Sequence, residues 1–137
     1  MKKQRKFSNI AMIVLLIAAV FYLYTENRPV KISAENLAKA YNENTDSANQ
    51  KFLAKEIEVS GIISSIYTFQ DTINIVKFNT TLGTNIYCLF QGQQAASNKK
   101  YQINNKITVA GECIGLKEFF NLTGVFIKVN SIKSVSN

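Results

Sequence analysis

The chain predicts an all-β domain with short N-terminal helices, a five-stranded barrel behind a single N-terminal transmembrane helix. Three observations predict it. A charge-free apolar run, Ile10–Tyr24, follows a cluster of cations. At Glu56 the hydrophobic period changes from helical spacing to alternation. From there to Lys133, glycine and turn signals divide the chain into five strands, the first of them long.

A chain of 137 residues has room for one such domain. The net charge of +7 is partly local, because Lys2, Lys3, Arg5 and Lys6 all precede the apolar run. From Thr25 onward twelve basic residues face nine acidic ones, a mild excess that does not define a nucleic-acid binder. The sequence contains no histidine, which excludes His-based acid–base catalysis, Ser–His or Cys–His nucleophiles and imidazole metal ligands. Its two cysteines form no C-x-x-C motif. These absences predict a protein without enzymatic activity, cofactor or metal.

Extended back to Phe7, the apolar run makes about 27 Å of helix, near the hydrocarbon thickness of a bilayer. Tyr22 and Tyr24 stand at its outer end, where amphipathic rings favour the interface. A cleavable signal peptide is the rival reading. The run leaves through Val20-Phe21-Tyr22-Leu23-Tyr24, bulky where a peptidase needs small residues, and no cysteine follows it for lipid attachment. An uncleaved signal anchor is therefore expected. The cations before it place residues 1–6 in the cytoplasm, 7–24 in the membrane and the rest outside. Residues 25–32, with the only proline, read as a linker to a domain covering 33–137.

Ser33 reads as a helix N-cap with Glu35 in the first turn, and Leu37, Ala40 and Tyr41 follow at helical spacing. A second short helix is expected over Asp46–Lys55. Glu56–Tyr67 is then the first strand. Its apolar residues shift from odd positions (Ile57, Val59) to even ones (Ile62, Ile66), which predicts a bulge or bend at Gly61. Further strands are expected at Ile73–Thr80, Thr84–Gln91, Lys106–Leu116 and Asn121–Lys133, with a short helical piece at Gln93–Asn98. Five strands, a long bent first one and a helical connection between the third and fourth are the order of an OB-fold, a small Greek-key barrel. An SH3-like barrel has the same strand count. The position of the insertion and the matching Val59-Ser-Gly61 and Val109-Ala-Gly111 segments favour OB.

Several segments also carry a family resemblance. They are Leu37-Ala-Lys-Ala-Tyr41-Asn-Glu-Asn44, Ala48, Phe52-Leu-Ala-Lys55, Val59-Ser-Gly61-Ile-Ile, Tyr87-Cys88-Leu-Phe90 and Val109-Ala-Gly111-Glu-Cys113-Ile-Gly115. In order and spacing they resemble the tRNA_anti-like family of bacterial envelope OB-fold proteins, from about Ser33 to Ser131. The resemblance implies a fold analogous to anticodon-binding domains and a structural role for the matching residues. Relatives often carry another cysteine near the last strand, where this chain has Asn130-Ser131.

Cys88 and Cys113 fall in the apolar phase of their strands. In an oxidising compartment they are a possible disulfide; equally they read as two buried thiols. Lys99, Lys100 and Tyr101, with Lys106, are candidate phosphate contacts, and Tyr67, Phe69, Phe78 and Tyr87 are candidate stacking rings, the combination by which OB-folds hold single strands. All of these also read as a solvated loop and ordinary strand residues. Phe119 and Phe120 are the other candidate ligand contacts, since a loop has little structural need for two adjacent phenylalanines. The expected function is a membrane-anchored, extracytoplasmic OB-fold binding module for a protein or other envelope component. The alternative is a module for single-stranded oligonucleotides.

Overall fold

Alternation from Glu56 onward does build a sheet, and the sheet closes on itself. The computed structural model describes residues 2–26, 28–92 and 100–137. Its elements are α1 (Lys2–Glu26), β1 (Val30–Ser33), α2 (Ala34–Glu43), α3 (Thr45–Phe52), β2 (Glu56–Phe69), β3 (Ile73–Phe78), β4 (Ile86–Gln91), β5 (Lys106–Phe119) and β6 (Leu122–Ser136). The expected helical piece at Gln93–Asn98 lies outside the described residues.

The strands form one mixed sheet in the order β1-β2-β3-β4-β6-β5, and β2 also pairs with β5. Among the described residues only the β1–β2 and β4–β6 ladders are parallel. The long β2 reaches three neighbours, using Ile57–Ser60 against β1, Glu56–Ile62 against β5 and Ile63–Phe69 against β3. The circuit β2-β3-β4-β6-β5 thereby returns to β2, the connectivity expected of an OB-like fold.

Bulges bend the strands enough to close this circuit. On β6, Lys133 and Asn130 are extra residues opposite β5, and on β5 Ile114 is extra opposite β6. Gly115 follows with φ +87, a conformation that glycine adopts without steric cost. The bulge of β2 is at Ser64, not at the expected Gly61. Ile63 pairs with Phe78 and Ser65 with Lys77, which leaves Ser64 unpaired in the ladder. Through Gly61 the β2–β5 register is regular. Glycine stands there because a Cβ would lie 2.7 Å from the Phe78 ring and 2.9 Å from the Ala34 methyl. The Val-x-Gly segments face one another, Val59 opposite Val109, with Gly111 opposite Ile57 and Gly61 opposite Ile107.

The inner face buries Ile57, Val59, Ile63, Val76, Phe78, Ile86, Cys88, Phe90, Ile107, Val109, Val125 and Ile127. Two helices complete this core. Ser33 caps α2 by accepting from the Asn36 amide, and Asn44 caps α3 by accepting from that of Ser47. Leu37, Ala38, Tyr41, Ala48 and Phe52 then turn inward. Glu35 accepts hydrogen bonds from the Thr81 amide and hydroxyl, fastening α2 to the β3–β4 connection. The Thr81 hydroxyl, followed by its amide, holds that carboxyl below the usual glutamate value.

One further expectation changes, and one open reading is decided. The stretch read as a linker contains β1, because Val30 and Ile32 pair alongside Ile57 and Val59 and give the sheet a sixth strand. Cys88 and Cys113 are free and buried, without a disulfide. Both lie in register with Ile127, one on each side of it. Two strand spacings, about 9–10 Å, separate them, against the roughly 4.4–6.8 Å between Cα atoms that a disulfide spans. Finally, no helix among the described residues is long and apolar enough to cross a membrane.

The Gly61 environment predicts that Gly61→Val destabilises the domain by about 1–3 kcal/mol through overpacking. Gly83, where an added Cβ would meet nothing within 4 Å, is the control. A denaturant midpoint lowered for Gly61→Val and unchanged for Gly83→Ala is the expected result; an unchanged midpoint for Gly61→Val contradicts the packing account.

Candidate aromatic binding face

Apolar residues also occupy the outer face of β3, β4 and β6, where a sheet facing only water would be polar. Ile75, Tyr87, Leu89 and Phe126 are buried there in a second cluster, surrounded by Tyr67, Phe69, Ile73, Ile114 and Leu122. The register explains the grouping. Tyr67, Ile75 and Leu89 lie in one row across β2, β3 and β4, and Tyr87 pairs with Phe126 across β4 and β6. The bulge at Ile114 turns that side chain to the same face.

Two hairpin tips cover the cluster. The β2–β3 tip is Gln70-Asp71-Thr72, with φ 52 and 57 at its first two residues; the β5–β6 tip is Phe120-Asn121, with φ 52 and 63. Positive φ at both central residues is the geometry of a type I′ turn, whose twist matches that of the flanking strands. A bulky residue such as Phe120 is rare in this conformation and costs on the order of 1–3 kcal/mol there. Its ring stacks on Phe69 with centroids 4.4 Å apart and planes at 19°, joining the two tips. Phe119 stands edge-on to Phe126 at 4.9 Å, and Phe126 stacks on Tyr87 at 5.0 Å. The result is a continuous aromatic strip in which Phe119 and Phe120 remain 36% and 48% exposed.

Polar groups border the strip. Lys77 pairs with Tyr87, and Lys128 lies between Leu89 and Glu112. Burial, then the neighbouring Tyr67 hydroxyl, raise the pKa of Tyr87, with a hydrogen bond to Asn85 acting against them. Tyr87 therefore stays neutral at physiological pH and serves as packing beneath the exposed rings.

The candidate contacts thus divide. Phe119, Phe120, Tyr67 and Tyr87 come together, but Tyr87 is only 3% exposed and supports the face from below. Tyr101 is buried, stacked on Phe90 at 5.2 Å, and Phe78 fills the main core; neither is available as a contact. Lys100 is exposed beside Tyr101, and Lys99 lies outside the described residues. Among the described residues no group of three His, Cys, Asp or Glu side chains could hold a metal ion. The thiols are inert: burial raises the pKa of Cys88, and burial dominates at Cys113, whose Sγ lies 3.6 Å from the Tyr41 hydroxyl. The positions not anticipated are Ile75, Leu89 and Phe126. Their signal was the lack of alternation in Ile86-Tyr-Cys-Leu-Phe90 and Val125-Phe-Ile127, as expected of strands buried on both faces.

An OB-like sheet closed through the β2–β5 ladder, with an aromatic outer face between two hairpin tips, defines an OB-type binding module. The chain belongs to the tRNA_anti-like family, whose model matches residues 1–123. Among solved structures, it is similar to a Klebsiella pneumoniae protein described as a "putative nucleic acid-binding lipoprotein", at 15% identity and a TM-score of 0.56 over 75% of this chain and 92% of that one. It is also similar to Entamoeba histolytica asparaginyl-tRNA synthetase, at 13% identity and a TM-score of 0.53, where 80% of this chain covers 24% of the enzyme. At these identities the likeness is one of fold. No curated protein matches the chain.

The two phenylalanines are expected to differ. Phe119→Ser removes an edge contact from a fully buried ring and should cost about 1–2 kcal/mol, less than the ~3–5 of a fully buried phenylalanine. Phe120→Ser should stay within about 0.5 kcal/mol, because it loses a half-exposed ring. Thermal melts measure both, and equal losses contradict the assignment.

Proposed function

We propose that this chain is a non-catalytic, membrane-tethered binding module of the cell envelope, and that its ligand docks on the aromatic strip formed by Tyr67, Phe69, Phe119 and Phe120. The observation that carries the reading is the Phe69–Phe120 stack. It joins two hairpin tips, sits on a backbone conformation unfavourable for phenylalanine, and leaves ring surface in solvent. Strain of this kind persists where surrounding structure holds it, and it clusters at binding sites. OB-folds bind ligands on the second and third barrel strands and between these same two connections. Here those strands are β3 and β4.

The ligand is an envelope protein or another envelope component with apolar or planar groups. Lys128 beside Glu112 gives the border mixed charge, which suits such a ligand better than a phosphate chain. A second reading, single-stranded nucleic acid, is favoured by the exposed rings together with Lys77 and Lys128, and by the description of the Klebsiella relative.

The tether is α1. From Ile10 to Tyr24 its large apolar side chains are 54–70% exposed, all round the helix, so no protein surface among the described residues buries them. With the full Phe7–Tyr24 run in the bilayer and the N-terminal cations in the cytoplasm, the domain lies outside.

A photo-crosslinking residue in place of Phe120, in intact spheroplasts, tests the whole reading. The expected product is a discrete protein adduct, absent when the probe replaces Lys133 and removed by protease added outside. A nuclease-sensitive adduct supports the second reading. No adduct at position 120 contradicts the site, and an adduct protected until the cytoplasm is opened contradicts the location.

A further inference from the structure

Among the described residues β1 is the terminal strand of the sheet and pairs only with β2. In a parallel ladder, alternate residues direct their backbone N–H and C=O groups to one neighbour. The others on β1 therefore point away from β2, towards a side where no strand lies among the described residues. Such an edge is a template for another chain. Its four residues lack the usual protections of proline or a bulge within the strand.

A groove of ≈ 510 Å³ runs beside this edge, a size typical of ligand sites. Val30 and Ile32 of β1 and the buried Phe52 ring give it an apolar floor. Lys51 and Lys55 form the wall on the α3 side. Lys55 donates one hydrogen bond to the Gln50 carbonyl at 3.1 Å, which fixes its ammonium group at the groove and leaves other donors open. Among the described residues no carboxylate lines the groove. Lys31, whose side chain alternates to the other face of β1, lies in register with Glu58 of β2.

We propose that the β1 edge is a second binding site, which accepts an extended acidic peptide segment of another protein as an added strand. The free backbone groups call for a main-chain partner, the apolar floor for alternate side chains of that strand, and the two lysines for its carboxylates. A second copy of this chain is a poor occupant, because it would bring Lys51 and Lys55 against their own counterparts. This site shares no residue with the aromatic strip and stands or falls independently of it.

The test uses the full chain in non-ionic detergent and a fluorescein-labelled peptide of alternating Val and Glu, read by anisotropy. The control peptide has the same charge, with N-methyl groups on alternate residues to block strand pairing. Saturable binding is expected, weakened at least about tenfold by N-methylation and by Lys51→Glu/Lys55→Glu, and less by Lys51→Gln/Lys55→Gln. Lysine variants that melt as the parent chain does keep the comparison valid, and the N-methyl control needs no variant. Equal binding of the N-methylated peptide, equal binding by the Lys→Glu variant, or no binding each overturns the proposal. Displacement by oligothymidylate as readily as by unlabelled peptide marks a simple polyanion site and overturns it too. So does self-association of the chain that the peptide competes with.

Discussion

The β2–β5 ladder is the interaction on which the rest of the structure depends. It joins the two ends of a five-strand path, and it does so over only seven paired positions, Glu56–Ile62 against Lys106–Glu112. Close approach at its borders requires glycine. At Gly111 a Cβ would lie 2.2 Å from the Lys128 carbonyl oxygen, so any side chain would push β6 away from β5. At Gly61 the obstacle is the Phe78 ring. Closing the path buries the inner core. It also brings the distal parts of β2 and β5, and so their hairpin tips, to one side of the molecule. The aromatic strip is a consequence of that closure and not of any local motif.

The lower end is finished by α2 and α3. Tyr41 shows how tightly the helices are fitted: its hydroxyl donates to Asn49 Oδ1 at 3.0 Å and stands beside the Cys113 thiol, next to the bulge that ends at Gly115. The same bulge turns Ile114 outward to the second cluster. One irregularity thus serves both faces of the sheet. Cys88 and Cys113 are held apart by Ile127, and they contribute to stability as small apolar side chains.

Most of this architecture was legible from period and punctuation. The change to alternation at Glu56 marked the start of the sheet, and Ser33 marked the start of the first helix, because each effect is local. What was not legible depends on partners distant in sequence. β1 is four residues, Lys31 among them, directly after Arg28 and Pro29, and only its neighbour β2 makes it a strand. The phase change in β2 pointed to Gly61, but the extra residue is Ser64, whose hydroxyl donates to the Lys77 carbonyl. Gly61 answers a different need, space for Phe78. For the site, the sequence offered Tyr67 and Tyr87 as candidate rings but could not show that the fold buries Tyr87 and leaves Tyr67 partly open. Tyr101 had no strand pattern at all, and its burial rests on a tertiary contact, the stack on Phe90.

The central claim is that strand closure holds the β2–β3 and β5–β6 tips together through Phe69 and Phe120. Nuclear Overhauser contacts between the two rings, in a sample with selectively labelled phenylalanine, test it most directly. The account predicts strong ring-to-ring contacts, as centroids 4.4 Å apart require, together with contacts between Val59 and Val109 across the ladder. Val59–Val109 contacts without any between Phe69 and Phe120 would contradict it, because the sheet would then be closed and the aromatic face still unformed.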